Sequence, residues 1–534
     1  MARTPIARKL VALTAGIVVT ALASTTQAAP QTPDVIVYDI GVDGGNTNDI
    51  RYWGQSGGIA AYNIATQSCN SGTAQLDWFD AGPDTRHPVI SQNMFRLKDG
   101  RFEHIGQSWL KHGFCAVNEF EVDCGPCNNT SCDTLGVGCA DTYWASLNDG
   151  AGGRSKRFVN ATSGEHVEST IAPAGPTAIR GRLQVAVADI DPAQNPGAEW
   201  FIEGHYITAD DAAAGNDRNN ASWRRLNVIG VNNLDGGGDT HREEAGIRAW
   251  RDNDPSVVIR TAVNTEGGGA RTFYFVAYKV TQIDGSTWEY EYAVQNLNSD
   301  QSARSFSIPV PGATSVSSIG FHDVDYHSGD PYDGTDWAGV NSGGSVTWQT
   351  DEHSVNANAN ALRWGTLYNF RFQANAPPVP VTATIGLFSP DVNTETTVVV
   401  DGPDIGSNMC LSSASVASRN GGANANTYTA TPPSTGGTVT MNVTGDYSFG
   451  VMYAYNGAAS IPLGNGQVVL FDPGSSFMFT KVMTGMPNGS ASQAVPMDLS
   501  LCGATAFTQV IMTGPTAGGP SFQFTNAQDL TVGS

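Results

Sequence analysis

Two aromatic segments, Thr272-Phe-Tyr-Phe-Val-Ala-Tyr-Lys-Val280 and Trp288-Glu-Tyr-Glu-Tyr-Ala-Val294, decide the fold class of this chain. Aromatic and β-branched residues recur along both with a period of two, which is typical of β-strands. The pair Asp284-Gly285 lies between the segments, and an Asp-Gly pair between alternating strands predicts a β-hairpin.

Similar alternation extends over other parts of the chain. Residues 182–188, 345–348 and 367–372 all show it. Helical patterns are scarce, and we expect only short helices at 59–65 and 210–214. The sequence therefore predicts a mainly β protein built from several β-sandwich domains.

The domain organisation follows from shifts in composition. Ala374-Asn-Ala-Pro-Pro-Val-Pro380 is rich in proline, which stiffens links between domains. All 9 histidines and all 11 tryptophans precede residue 380. The predicted divisions are a signal peptide at 1–28, a cysteine-rich N-terminal region at 29–165, a central aromatic-rich β-sandwich at 166–375, a Pro-rich linker at 376–380 and a separate C-terminal β-sandwich at 381–534.

The N-terminus and the charge predict where the protein works. Basic residues precede an apolar run at 10–23, and Thr26-Gln27-Ala28 fits a signal-peptidase site, so we expect a secreted, extracellular protein. No later stretch is apolar for long enough to insert into a membrane. The 534-residue chain has 28 Lys and Arg against 50 Asp and Glu, for a formal net charge of −22. That charge excludes a nucleic-acid partner, because phosphate binding needs a basic surface.

The eight cysteines fit an oxidising compartment. Two of them, Cys410 and Cys502, lie late in the chain and are expected to form one disulfide. The other six are expected to form three disulfide bridges whose pairing the sequence leaves open: Cys69, Cys115, Cys124, Cys127, Cys132 and Cys139.

Two stretches carry a resemblance to a known family. The first runs from residue 87 to residue 114 and contains His87-Pro-Val-Ile-Ser-Gln-Asn and Asp99-Gly-Arg-Phe-Glu-His-Ile-Gly-Gln-Ser-Trp-Leu-Lys-His-Gly-Phe114. The second is Ala361-Leu-Arg-Trp-Gly-Thr-Leu-Tyr-Asn-Phe-Arg-Phe372. Across about residues 35–375 the chain resembles a family of large secreted bacterial proteins. Its tail resembles a β-domain found at the ends of many secreted bacterial proteins. The resemblance implies a secreted, modular protein and no particular activity.

The segment 321–337 holds the densest group of candidate metal ligands: Asp323, Asp325, His327, Asp330, Asp333 and Asp336. In an extended chain the first three share one face and suit zinc, copper, manganese or iron. The later aspartates suit calcium. The alternative is a solvated acidic turn that binds no metal.

A second acidic stretch, 232–244, contains Asp235 and Asp239 around a run of three glycines. Glycines let the backbone fold around an ion and offer carbonyl oxygens to calcium. The alternative is a flexible hairpin tip.

A third group lies in the N-terminal region, where Arg101, His104 and His112 are close in sequence. A secreted polysaccharide lyase needs a base such as histidine and a cation that neutralises a uronate carboxylate. These three residues are therefore catalytic candidates. The alternative is that the histidines only form internal hydrogen bonds.

Three hypotheses of function follow. The first is a secreted binding or surface protein, stabilised by calcium, that recognises an extracellular polymer such as a polysaccharide. The second is a secreted enzyme that acts on such a polymer, either a metal-dependent hydrolase or a polysaccharide lyase. The third is a structural matrix or surface-layer component.

Overall fold

The computed structural model describes residues 31–41, 49–79, 84–150, 153–167, 169, 171–311, 314–404, 413–496, 501–516 and 519–533. Strands predominate there and the helices are short, which confirms the mainly β prediction. The expected signal peptide and Cys410 lie outside these residues. Within them, no helix has the length and apolar character needed to cross a membrane.

The described residues of the N-terminal region, 31–241, form fifteen strands and two short α-helices. The strands are β1 Val35–Ile40, β2 Ile50–Ser56, β3 Ile59–Ile64, β4 Thr66–Asn70, β5 Leu76–Asp77, β6 Val89–Lys98, β7 Arg101–Gln107, β8 Lys111–His112, β9 Glu119–Phe120, β10 Thr134–Leu135, β11 Cys139–Tyr143, β12 Leu183–Ala186, β13 Glu199–Ile207, β14 Ala221–Gly230 and β15 Asn233–His241. The α-helices are α1 Val187–Ile190 and α2 Ala209–Ala214, and a 3-10 turn spans Lys156–Phe158.

A nine-stranded antiparallel sheet is the frame of this region. Its order is β15-β14-β13-β6-β7-β12-β3-β2, and β8 pairs with β6. A four-stranded sheet, β1-β4-β11-β9, packs on one face. The shared core includes Val37, Tyr62, Met94 and Ile202, all fully buried.

The central sandwich, residues 248–403, begins with helix α3 at Arg248–Asn253. Its strands are β16 Val258–Glu266, β17 Ala270–Gln282, β18 Trp288–Asn296, β19 Ala303–Pro309, β20 Val316–His322, β21 Ala338–Ser342, β22 Ser345–Gln349, β23 Thr366–Ala374, β24 Pro378–Leu387 and β25 Glu395–Pro403. They form two five-stranded sheets, β16-β17-β18-β23-β20 and β21-β22-β19-β24-β25.

The aromatic hairpin predicted from the sequence is confirmed as β17 and β18, which pair from Gln282–Trp288 to Tyr274–Asn296. Alternate residues of β17 face opposite cores. Tyr274 packs against the second sheet of the sandwich, whereas Phe273 and Phe275 pack against the nine-stranded sheet. The N-terminal region and the central sandwich thus share a core. The predicted boundary at 165/166 is wrong, because β12 to β15 lie after it and belong to the nine-stranded sheet.

The predicted linker at 376–380 is also wrong. Residues from Pro378 onward form β24, which pairs with β25 along its whole length, from Pro378–Pro403 to Gly386–Glu395. The second neighbour of β24 is β19, which pairs with it only between Thr384 and Leu387. Pro378 and Pro380 therefore lie where β24 has one partner, and a strand edge tolerates residues without an N–H.

The expected helix at 59–65 is a strand, β3, and the expected helix at 210–214 is confirmed as α2. β3 is paired on both sides, with β2 and with β12, and is buried on both faces from Ala60 to Ile64. A strand covered on both faces loses its alternation, so its pattern does not separate it from a short helix.

The C-terminal region, residues 415–533, has a core of its own, with Met441, Met452 and Val510 at its centre. It confirms the prediction of a C-terminal β domain, which begins later than expected because β24 and β25 belong to the central sandwich. The strands are β26 Ser415–Arg419, β27 Tyr428–Ala430, β28 Thr438–Thr444, β29 Phe449–Tyr455, β30 Ala458–Pro462, β31 Val468–Phe471, β32 Phe477–Met483, β33 Asn488–Ala494, β34 Thr505–Thr516 and β35 Gly519–Thr531.

Candidate functional site

Three histidines from distant parts of the sequence converge in the N-terminal region. His87 lies just before β6, and His112 ends β8, which pairs antiparallel with the start of β6 through Val89 and His112. His166 is brought to the same place by a bridge to Val159, which follows the 3-10 turn. Strand pairing thus positions these three side chains, which we call the histidine cluster.

The ring nitrogens of the histidine cluster are close enough to share one ion. Nε2 of His87 lies 3.0 Å from Nδ1 of His112 and 3.3 Å from Nε2 of His166. The three ligand nitrogens all lie within 4.8 Å of one another. Nitrogens that bind one tetrahedral zinc at 2.0–2.1 Å are spaced by about 3.3 Å.

The environment keeps the imidazoles of His87 and His112 neutral. Burial, with smaller contributions from neighbouring His166 and Lys111, lowers the pKa of His87 to about 4. Burial also lowers the pKa of His112 to about 3, helped by His166 and His87. Neutral imidazoles have a free lone pair, which is the form that binds a metal.

Nε2 of His87 faces more ring nitrogens than it can pair with. A ring nitrogen either donates its one proton or accepts at its one lone pair, so Nε2 of His87 forms a full hydrogen bond with one of the two neighbouring nitrogens at a time. A cation between the three nitrogens satisfies all of them together. The residues therefore fit a metal held by three histidines.

A pocket of about 510 Å³ opens beside the histidine cluster. His87 and His166 form part of its wall. The remaining wall is mostly polar: Asp77, Thr85, Arg86, Arg157, Phe158, Val159, Asn160, Glu165, Val167, Thr208, Ala209, Asp210 and Asp300. At Asp300, burial in the pocket wall and the nearby Glu266 carboxylate raise the pKa to about 6. A carboxyl group with that pKa exchanges protons near neutral pH.

The catalytic candidates from the N-terminal sequence do not share one cleft. His104 is fully buried; its Nε2 lies 2.9 Å from the carbonyl oxygen of Gly106, and its Nδ1 accepts from the backbone N–H of Leu367 at 3.2 Å. Arg101 donates to the Glu291 carboxylate at 3.1 Å. Both of these side chains hold the N-terminal region against the central sandwich, so of the three candidates only His112 belongs to the histidine cluster.

The candidate ligands at 321–337 point to separate partners. β20 ends at His322, so the expected extended face of Asp323, Asp325 and His327 does not form. Asp323 accepts from Asn360 Nδ2 at 2.5 Å, and Asp325 is exposed. His327 is buried, with its ring nitrogens 2.9 and 3.0 Å from two carbonyl oxygens.

The later aspartates of this segment also have local roles. Asp330 accepts hydrogen bonds from Trp109 and Ser155, and Asp333 accepts from the N–H and hydroxyl of Thr335. Asp336 is exposed. Among the described residues, none of the six belongs to a cluster of three histidine, cysteine or carboxylate ligands. The acidic turn accounts for the contacts seen, and the calcium hypothesis stays a prediction.

The second acidic stretch is a strand rather than a loop. Asp235 and Asp239 lie in β15, and two of the three glycines between them, Gly236 and Gly237, pair with β14. Asp239 lines a shallow pocket of about 470 Å³. In that pocket the ring of His241 stacks on Trp223 at 3.7 Å, and His241 belongs to an exposed cluster with Glu244 and Asp252.

Two disulfides staple the N-terminal region, Cys69–Cys124 and Cys127–Cys139. In the segment Cys124-Gly-Pro-Cys127 the two cysteines form disulfides with different partners, Cys69 and Cys139, and not with each other. Both cysteines therefore have a structural role. The expected third bridge, which leaves Cys115 and Cys132 as partners, stays a prediction. Cys502 is disulfide-bonded, while its expected partner, Cys410, lies outside the described residues.

Sequence reasoning found one member of the histidine cluster and missed two. His87 stood in a stretch quoted only for its resemblance, and His166 stood in none. The three residues are separated by 25 and 54 positions, and no local spacing rule links them. The one available signal was the confinement of all histidines to the chain before residue 380.

Comparison with known proteins adds little. No family model matches the chain, and no curated protein matches it. A solved structure of Escherichia coli alpha-2-macroglobulin activated by porcine elastase aligns over 95% of this chain and 41% of that chain, at 8% identity and a TM-score of 0.10. The chain thus spans less than half of that structure, and a likeness this weak carries no argument about fold or function.

Proposed function

We propose that the protein is a secreted, metal-dependent hydrolase that acts on an extracellular polymer, with zinc held by His87, His112 and His166. The observation that carries this proposal is the convergence of three imidazoles beside an open pocket, with His87 and His166 in the pocket wall. Catalytic zinc sites keep one coordination position open for water or substrate, and three histidines leave such a position.

The chemistry of such a centre selects the substrate class. Zinc polarises a carbonyl oxygen and makes bound water a nucleophile near neutral pH. An acyl group on a polysaccharide offers the required carbonyl. The pocket wall supplies a proton acceptor in Asp300 and a cation in Arg157 that neutralises negative charge on the substrate.

Elemental analysis of the natively secreted protein, purified without chelator, tests the metal. We expect one zinc per chain in the wild type and none in His112→Asn. His112 is the least buried of the three ligands, so its replacement disturbs the fold least. His353→Asn, which alters a histidine packed on Phe388 outside the histidine cluster, is the matched control and retains the metal.

Acetate release from acetylated polysaccharides tests the activity. We expect release by the wild type, loss on chelation and recovery with zinc. A folded wild type without stoichiometric metal contradicts the proposal. Bound metal together with polymer binding and no turnover favours the polymer-binding hypothesis instead.

A further inference from the structure

Lys156 has an unusual setting, away from the histidine cluster. It begins the 3-10 turn, and although part of the residue is accessible, its ammonium nitrogen is enclosed by protein. The hydrogen-bond partners of Nζ are neutral oxygens: Oε1 of Gln107 at 3.3 Å, Oδ1 of Asn93 at 3.4 Å and the carbonyl of Gly365 at 3.5 Å. Nζ also lies 5.4 Å from the ring centroid of Trp364. Among the described residues no ion pair includes Lys156, so its charge lacks the partner that burial normally requires.

Asn93 and Glu203 face each other on neighbouring strands. They are directly paired in the register of β6 and β13, and both side chains are fully buried. Nδ2 of Asn93 donates to Oε1 of Glu203 at 2.7 Å. The other carboxyl oxygen of Glu203 accepts from the N–H of Gly246 and from Nε2 of Gln295. The amide of Asn93 therefore lies between an amine on its oxygen side and a carboxyl group on its nitrogen side.

We propose that Lys156 and Asn93 are joined by an intramolecular isopeptide bond, whose formation Glu203 assists. The side-chain amide of Asn93 is an acyl donor, the amine of Lys156 is a nucleophile, and the carboxyl of Glu203 contacts the leaving nitrogen.

The reaction needs no other component. The neutral Nζ attacks Cγ of Asn93 and forms a C–N bond. Glu203 gives its proton to the amide nitrogen, the C–N bond of the original amide breaks, and ammonia leaves. A proton from Nζ restores the carboxyl group. One amine and one primary amide thus become one secondary amide and one ammonia.

The surroundings favour the reactive protonation states. Burial lowers the pKa of Lys156 to about 8, against the opposing effects of Glu203 and Asp330, so a neutral amine is accessible at mild pH. Burial also raises the pKa of Glu203, which favours the protonated acid. These states are the ones that nucleophilic attack and proton transfer to a leaving group require.

Gln107 offers a second amide at a similar distance but lacks the acid. Its Nε2 donates to the backbone carbonyl of Asp325 at 3.1 Å rather than to a carboxyl group. Its leaving nitrogen therefore has no proton donor. The geometry selects Asn93, and Gln107→Ala supplies a matched control.

The bond would fasten the 3-10 turn to the middle of the nine-stranded sheet. The residues just after Lys156, from Arg157 to Asn160, line the pocket beside the histidine cluster, and Val159 bridges to His166. A covalent link at Lys156 would hold this wall in place in a protein that is exposed to extracellular proteases.

Mass spectrometry of the secreted, reduced wild type decides the proposal. We expect an intact mass lower than the sequence mass by one ammonia, and a branched peptide after digestion that contains both Asn93 and Lys156. Gln107→Ala keeps this loss, whereas Glu203→Gln and Lys156→Met show the full mass. If the variants are not secreted, the wild-type peptide alone decides. Recovery of Asn93 and Lys156 in separate linear peptides overturns the proposal. It is also overturned if the loss of ammonia maps only to another site, such as Asn420-Gly421.

Discussion

Oδ1 of Asp211 accepts a hydrogen bond of 3.0 Å from the backbone N–H of Val35, the first residue of β1. The two residues are 176 positions apart, and Asp211 is fully buried in helix α2. Burial raises the pKa of Asp211 to about 8, against the lowering effects of Asn220 and Val35. The carboxyl that anchors the first strand is therefore protonated at neutral pH.

Asp211→Asn is expected to remove a pH dependence of stability. The folded pKa lies above the unfolded value, so the native state binds the proton more tightly and wild-type stability falls as pH rises from about 4 to about 8. The Asn side chain does not titrate. Between pH 5 and pH 9 the free energy of unfolding of the Asn variant should therefore rise by about 1–3 kcal/mol relative to that of the wild type. Thermal denaturation midpoints of both proteins across this range give the measurement.

Asp333→Asn is the control for this comparison. Asp333 is exposed, and hydrogen bonds from Thr335 lower its pKa, so its replacement leaves the wild-type pH dependence above pH 5 in place. Parallel curves for wild type and Asp211→Asn would show that Asp211 is ionised in the native state.

Truncated chains test whether the central sandwich ends before the predicted linker at 376–380 or after β25. A mature chain that ends at Asp404 keeps β24 and β25, whereas one that ends at Asn375 loses them with Val381, Ile385 and Val400 from the core. Burying each such side chain is worth about 1.5–3 kcal/mol, and the lost set approaches the whole stability of a typical domain. We expect the longer fragment to resist limited proteolysis and the shorter one to be degraded. Equal resistance of the two fragments to proteolysis would support the predicted linker at 376–380.

Local patterns predicted the fold where a turn signal lies between two aromatic segments, even though both faces of β17 and β18 are buried. The hairpin β17–β18 was predicted because its aromatic residues alternate around an Asp-Gly turn. β3 was mistaken for a helix because both of its faces are buried. Pro378 and Pro380 resembled a linker, since the sequence does not reveal that the opposite edge of β24 is vacant at that point.

The candidate site was less predictable for a physical reason. Ligand clusters at 321–337 and 232–244 were chosen because their residues are close in sequence, yet hydrogen bonds to Asn360 and Thr335 already occupy Asp323 and Asp333. The histidine cluster is assembled by the pairing of β8 with β6 and by the bridge from Val159 to His166. Contacts of this kind depend on the tertiary fold alone.

Two aspartates of one segment should respond differently to replacement. Asp323→Ala removes the acceptor for Nδ2 of buried Asn360, and we expect a loss of about 1–3 kcal/mol. Asp325→Ala should change stability by less than about 0.5 kcal/mol, because the side chain is exposed. Thermal midpoints with and without added calcium provide the measurement. A calcium-dependent loss in Asp325→Ala would revive the metal hypothesis for this segment.

The two disulfides should contribute unequally to stability. Cys69–Cys124 closes a loop of 55 residues and Cys127–Cys139 one of 12. Constraint of the unfolded chain grows with loop length, so removing the first bridge should cost about 4 kcal/mol and removing the second about 3 kcal/mol. Denaturation of the paired Cys→Ser variants measures both values, and the reverse order would show that native-state contacts dominate over chain entropy.

A disulfide map of the unreduced protein tests the last bridge of the N-terminal region. The backbone N–H of Ala116 donates to the carbonyl of Cys132 at 2.7 Å, so Cys115 and Cys132 lie on adjacent segments. Both residues are exposed, where an oxidising environment favours a bond between neighbouring cysteines. We expect a peptide that joins Cys115 to Cys132 alongside the two bridges observed. Alkylation of both cysteines without prior reduction would contradict the third bridge, and it would leave Cys69–Cys124 and Cys127–Cys139 to hold this region without it.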